Sequence, residues 1–204
     1  MLLVVASRNR DKLVELCHAL AGLALEIRSA AEFPEVPEVA ETGSTLEENA
    51  LLKARAVHEA TGALALADDT GLEVDALGGA PGVESARFAG PEQSYARNVE
   101  KLLTLMAGVP DERRHARFRT VIALRFPGGM EETVEGVCEG TILRERRGGG
   151  GFGYDPLFFV PALGKTFAEL TLDEKNRVSH RGRAMRKVHA LLVARLRNPP
   201  PARG

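Results

Sequence analysis

Ala67 to Gly90 reads ADDTGLEVDALGGAPGVESARFAG, and the rest of the chain is best understood from this stretch outward. A short apolar run, Ala63-Leu64-Ala65-Leu66-Ala67, leads into two adjacent acids, Asp68 and Asp69. Gly71, Gly78, Gly79, Pro81 and Gly82 follow, together with Glu73 and Asp75. The run has the length of a buried strand, and the glycines and proline after it have the character of turns, so the acids are expected where the strand leaves its sheet. Ligands of open α/β sheets bind at the carboxyl ends of strands. Carboxylates placed there can hold a hard cation such as Mg²⁺, or one of them can take a proton from water. An Asp pair can equally cap a turn or the next helix.

Upstream, Leu2 to Ala6 is a continuous apolar run suited to a strand covered on both faces. Ser7-Arg8-Asn9-Arg10-Asp11-Lys12 breaks it, and Leu13, Leu16, Cys17 and Leu20 then recur at helical spacing. A polar turn at a helix N-terminus favours an anion, and Lys12 adds a point charge suited to phosphate. Ser7 or Asn9 can also be a simple N-cap there. Leu25 to Arg28 has the alternation of a second strand. Beyond a loop with Pro34 and Pro37, Ser44 with Glu47, or Thr45 with Glu48, forms a capping box that starts a helix reaching about His58. Asn49 and Lys53 stand four apart and therefore on one side of it, and Glu41 lies just ahead of it.

Downstream, a helix opening near Pro91-Glu92 carries Val99, Leu102, Leu103 and Met106 on its buried face. Ala116 to Phe126 and Glu132 to Thr141 alternate around Pro127-Gly128-Gly129 and are expected as a hairpin, which makes the sheet mixed. Four glycines, Gly148 to Gly151, precede Phe152-Gly153-Tyr154-Asp155-Pro156. The backbone there can approach a ligand closely and the aromatics can stack on a flat heterocycle, or a ring can pack inward. Leu157 to Val160 is a further strand. Ser179 is suited to cap a last helix anchored by Met185, Val188, Leu192 and Leu196. His180 and Arg181 in its first turn oppose the helix dipole, which points to an acceptor-rich partner.

Composition sets the outer bounds. With 204 residues the chain can bury one sizeable core, or one domain with a smaller lobe. A formal net charge of −1 argues against broad nucleic-acid binding. Cys17 and Cys138 have no metal-type spacing, so two buried thiols in a reducing compartment are expected. No apolar run approaches the length that crosses a bilayer, and the N-terminus lacks the basic region of a signal peptide, so a soluble cytoplasmic protein is expected. Residues 1–197 are expected as a single domain of two lobes, with 198–204 a disordered tail.

Five segments in order, Ser7 to Lys12, Glu41 to Lys53, Ala67 to Gly90, FGYDP at 152–156 and Ser179-His180-Arg181, resemble the inosine triphosphate pyrophosphatase family. The long central stretch and FGYDP followed by SHRG are specific; the S-x-N-x-x-K turn alone is not. The resemblance implies a mixed α/β fold, with a twisted central sheet and flanking helices in two lobes around a cleft, in a homodimer. It implies Mg²⁺-dependent hydrolysis of deaminated purine nucleoside triphosphates (ITP, dITP, XTP) to monophosphate and pyrophosphate, with no nucleic-acid or membrane partner. Carried onto this chain, Asp69 is the general base and a metal ligand, Glu41 a second ligand and Asp68 a further candidate. Ser7, Arg8, Asn9, Arg10, Asp11, Lys12 and Lys53 hold the triphosphate. Thr70, Phe152, Gly153, Tyr154, Asp155, Lys175, His180 and Arg181 line the nucleotide pocket. Two other readings stand beside this one: a Maf-like pyrophosphatase for other modified or pyrimidine nucleotides, and a nucleotide-binding sensor without turnover. FGYDP and SHRG speak against the first. Carboxylates that would repel a triphosphate without a metal speak against the second.

Overall fold

The computed structural model describes residues 1–7 and 9–197, with the side chains of Arg10, Leu196 and Arg197 left undescribed. The chain forms two compact units, one from residues 1–69, 120–136 and 181 onward, the other from 70–119 and 137–180. Each has its own apolar core.

In the first unit, β1 (Leu2–Val5) pairs in parallel with β2 (Glu26–Ser29) and with β3 (Leu64–Val74), in the register Leu3 to Leu64 and Val5 to Leu66. Parallel strands need a long crossover connection, which a helix between them supplies. The crossover helices are α1 (Arg10–Ala19) and α2 (Leu46–Thr61). Thr45 starts α2 by accepting from the Glu48 N–H at 3.1 Å, while Glu48 Oε2 accepts from the Ser44 N–H at 2.7 Å. Leu3, Val5, Leu64 and Leu66 pack with Leu16 and Leu20 of α1. Met185, Val188 and Leu192 of the last helix, which spans His180–Arg197, complete that core. Each such fully buried side chain contributes about 1.5–3 kcal/mol relative to exposure.

The second unit is built on antiparallel pairs. The far half of β3 pairs with β4 (Pro81–Gly82), bringing Leu72 opposite Gly82. Next come α3 (Tyr95–Met106), then β5 (His115–Arg125) and β6 (Glu131–Ile142), joined through a turn closed by Phe126 N–H to Met130 O at 2.9 Å. β6 then pairs with β7 (Phe158–Val160), and β7 with β8 (Lys165–Thr166). The helix α4 (Leu172–Val178) precedes α5, the last helix already introduced. Strands β3, β5 and β6 each contribute residues to both units, and the whole is the mixed α/β fold with flanking helices that the resemblance implied. Val99, Leu102 and Met106 of α3 pack on Leu72, Phe118 and Phe158.

Four expectations change. Asp68 and Asp69 do not end their strand, because β3 continues without a break through Val74. What ends near them is β1, whose pairing with β3 stops at Leu66, so the acids lie just beyond the carboxyl end of the parallel part. Gly71 is accordingly a strand residue, and a Cβ on it would lie 2.6 Å from the carbonyl oxygen of Gly82. Cys17 is exposed and Cys138 alone is buried, since Cys17 falls at the margin of the stripe that Leu16 and Leu20 bury. Lys165 to Asn176, where the sequence suggests no helix, leads into α4, started by the reciprocal Thr171 and Glu174 capping box and continuing to Val178. The tail at 198–204 and the Leu196 anchor lie outside the described residues. Among the described residues no helix is long and apolar enough to cross a membrane.

Gly71→Ala should therefore separate β4 from β3 and cost about 1–3 kcal/mol, as overpacked sites do. Urea unfolding, with the wild-type protein as reference, measures this.

Candidate active site

Successive residues of a strand point to opposite faces, and this rule organises the acids of the first unit. Asp68 shares its face with Leu64 and Leu66, toward α1 and α5. There its Oδ2 lies 3.1 Å from Lys12 Nζ and 3.2 Å from Arg181 Nη2. Arg181 Nη1 is bonded in turn to Glu15 Oε2. Asp68 and Arg181 are each only 2% exposed. Asp69 points the other way, toward α2. Its Oδ1 accepts from Lys53 Nζ at 2.8 Å and its Oδ2 from Asn49 Nδ2 at 3.3 Å, while Thr120 Oγ1 donates to its backbone oxygen at 3.0 Å. Lys53 Nζ also reaches Glu41 Oε1 at 2.8 Å and the Asp68 carbonyl at 2.7 Å. One ammonium thus gathers the carboxylates of Glu41 and Asp69.

These settings shift the acids in opposite directions. Burial alone would raise Asp68, but Lys12, Arg181 and Lys53 outweigh it and hold the carboxyl well below the usual range. Burial, reinforced by the charge on Glu41 and opposed by Lys53, raises Asp69. Burial also lowers Lys12 although Asp68 pulls it upward. For Lys53 burial is outweighed by Asp69, Glu41 and Asp68, and its pKa rises.

The turn before α1 is closed on itself. Ser7 Oγ accepts from the Asn9 N–H at 3.2 Å, and Asn9 Oδ1 accepts from the N–H groups of Asp11 at 3.0 Å and Lys12 at 3.3 Å. Asn9 is the N-cap, one of the two readings open from sequence. The Asp11 side chain is exposed. Arg8 and the side chain of Arg10 lie outside the described residues. Asp68 is not brought together with Glu41 and Asp69 as a third oxygen ligand, because strand alternation turns it to the other face. Glu15, Asn49 and Thr120 also belong to the cluster; Asn49 alone of these is marked in sequence, by its place one turn before Lys53.

In the second unit, Thr70 is half-buried at the start of the far half of β3. Asp155 Oδ2 accepts from the Phe152 N–H at 2.8 Å and from Lys175 Nζ at 2.6 Å. Lys175 Nζ lies 4.6 Å from the centre of the half-buried Phe152 ring, within cation–π range. Gly153 follows with φ +60°. Tyr154 departs from the expected pocket-facing aromatic: it is in the core, and its hydroxyl donates to the Ser85 carbonyl at 2.9 Å. Burial raises its pKa. His180 is buried against Phe118, with ring centres 4.6 Å apart and planes 16° apart, and its ring also stacks on Phe167. The donor expected to need an acceptor-rich partner at the start of α5, Arg181, finds carboxylates of the chain itself in Glu15 and Asp68.

Fold and side chains together define an α/β protein with acids and lysines gathered just past the end of its parallel strands. The chain belongs to the Ham1 family, whose profile matches residues 3–191. It is 54% identical over 192 residues to a protein of Desulforamulus reducens named dITP/XTP pyrophosphatase, across 94% of this chain and 96% of the relative. A protein of the same name from Geobacter sulfurreducens is 55% identical over 183 residues, covering 90% of this chain and 92% of the relative. The solved structure of a HAM1 protein from Coxiella burnetii is 43% identical and superposes with a TM-score of 0.87, over 95% of this chain and 99% of that one.

Removing one member of a buried ion cluster strands its partners. Asp68→Asn should cost about 3 kcal/mol of stability at neutral pH, read by urea unfolding. The folded-state pKa of Asp68 lies below its unfolded value, so its contribution is complete above the unfolded pKa. The gap between variant and wild type should close as pH falls from about 3.9 toward the depressed value.

Proposed function

We propose that this protein hydrolyses deaminated purine nucleoside triphosphates, ITP, dITP and XTP, to the monophosphate and pyrophosphate. The observation that carries the reading is the single Lys53 ammonium, within 2.8 Å of both Glu41 and Asp69 and bonded to the Asp68 carbonyl. Two carboxylates turned to one cationic point form a hard oxygen site beside lysines suited to phosphate. The names carried by the Desulforamulus and Geobacter relatives point the same way.

Glu41 and Asp69 are the residues that would hold Mg²⁺. Mg²⁺ is commonly held by one or two carboxylates together with substrate phosphates. When bound, Mg²⁺ supplies charge neutralisation at the phosphoryl oxygens and acidifies water. Asp69 accepts the proton of the attacking water as the anhydride between the α and β phosphates opens. Its raised pKa strengthens it as a proton acceptor, and Lys53 and Lys12 hold phosphate oxygens by charge. The Phe152 ring, with Lys175 over it, offers a face for a flat base. A 6-oxo purine presents an acceptor where adenine presents a donor, and Lys175, beside the Phe152 ring, can only donate. On the family resemblance, the reading extends to a cytoplasmic homodimer.

Incubation with ITP, dITP, XTP, GTP and ATP in Mg²⁺ should yield pyrophosphate and monophosphate from the first three, and nothing without the metal. Orthophosphate as product would mean a different bond is cut, and no turnover would leave a binding protein. Asp69→Asn should lower kcat by about 10²–10⁴-fold while the protein stays folded. A variant that simply fails to fold would make Asp69 structural.

A further inference from the structure

We infer that Asn49 is a positioning residue: it fixes the orientation of the Asp69 carboxylate and ties it to the segment that carries Glu41. This rests on the reading of Asp69 as the proton acceptor.

Asn49 has no solvent exposure, so each half of its amide needs a partner inside the fold. Its Oδ1 accepts from the Gly43 N–H at 2.8 Å, and its Nδ2 donates to Asp69 Oδ2 at 3.3 Å. These partners also settle which way the amide faces: an N–H requires the oxygen and a carboxylate requires the NH₂. Lys53, one helical turn on, takes the other oxygen of Asp69. A carboxylate engaged at both oxygens from one rigid helix cannot swing about its last torsion, and Thr120 holds its backbone.

The same amide anchors the approach to α2. A Cβ on residue 43 would lie 2.7 Å from Asn49 Oδ1, so the contact requires glycine there. Gly43 lies two residues after Glu41, and Glu41 meets Asp69 through Lys53. Asn49 and Lys53 therefore form two parallel links between the same pair of segments. Lys53 carries a charge that a phosphate can draw away, whereas Asn49 is neutral and enclosed. Asp69 thus keeps one constant tether when Lys53 turns to substrate. An aspartate at 49 would set a carboxylate against that of Asp69 and abolish the tether without changing side-chain volume.

The test compares Asn49→Ala, Asn49→Asp and Asp69→Asn with the wild type for kcat and KM on ITP, for thermal unfolding, and for the Asp69 rotamer in metal-free crystals. Asn49→Ala should lower kcat about 10–100-fold with KM little changed, as losses of orienting partners do. Its Asp69 carboxylate should be rotated away from the Lys53-bound orientation. Asn49→Asp should lower kcat further, and it provides the reading if the alanine variant does not fold. A lowered melting temperature with kcat and the Asp69 rotamer unchanged would make Asn49 structural and overturn the inference. If Asp69→Asn is inactive while both Asn49 variants turn over normally, only this inference falls. If Asp69→Asn is active, the functional reading falls and takes this inference with it.

Discussion

Two neighbouring carboxylates, Asp68 and Asp69, are almost wholly removed from water, and a buried charge without a partner costs several kcal/mol. The first unit is arranged around meeting that demand twice, on opposite sides of one strand. On one face α1 supplies Lys12 and α5 supplies Arg181, with Glu15 balancing the surplus positive charge. On the other, α2 supplies Lys53 and the neutral amide of Asn49. The solutions differ in kind. Asp68 is surrounded by cations and locked in its charged form, a structural anion. Asp69 has one close cation and a neutral donor, and burial, helped by the charge on Glu41, outweighs Lys53 and raises its proton affinity. Adjacent residues of one type thereby acquire different chemistry from strand alternation alone.

Much of this was legible in sequence where the signal is local. The start of α2 is written in Ser44-Thr45 and Glu48, and the four-residue step from Asn49 to Lys53 shows that they share a face. The first strand, the hairpin and the buried side of α3 follow from apolar spacing in the same way. The length of β3 was not legible. Two acids and Gly71 have the appearance of a turn, and only long-range pairing overrides so weak a strand preference. Nor does adjacency along the chain reveal that Asp68 and Asp69 serve different faces, since that depends on the strand continuing past them. The partnership of Arg181 with Glu15 spans 166 positions and leaves no periodic trace.

The second unit shows a related economy in its FGYDP turn. Asp155 is the hinge of that turn, accepting from the Phe152 backbone while neutralising Lys175. Of the two aromatics, Tyr154 lies in the core, where the Ser85 carbonyl satisfies the hydroxyl that burial would otherwise strand. Phe152 is half-buried, with the Lys175 ammonium 4.6 Å from its ring centre.

The Arg181 contact also sets an order of events in time. Asp68 leaves the ribosome 113 residues ahead of the guanidinium that helps enclose it. At ordinary synthesis speeds of about 5–20 residues per second, that interval is on the order of ten seconds. Throughout it, of the cationic partners Lys12 and Arg181, Lys12 alone is already made, and the second comes only with α5. The last helix, by arriving with its own charge, seals a strand made long before it.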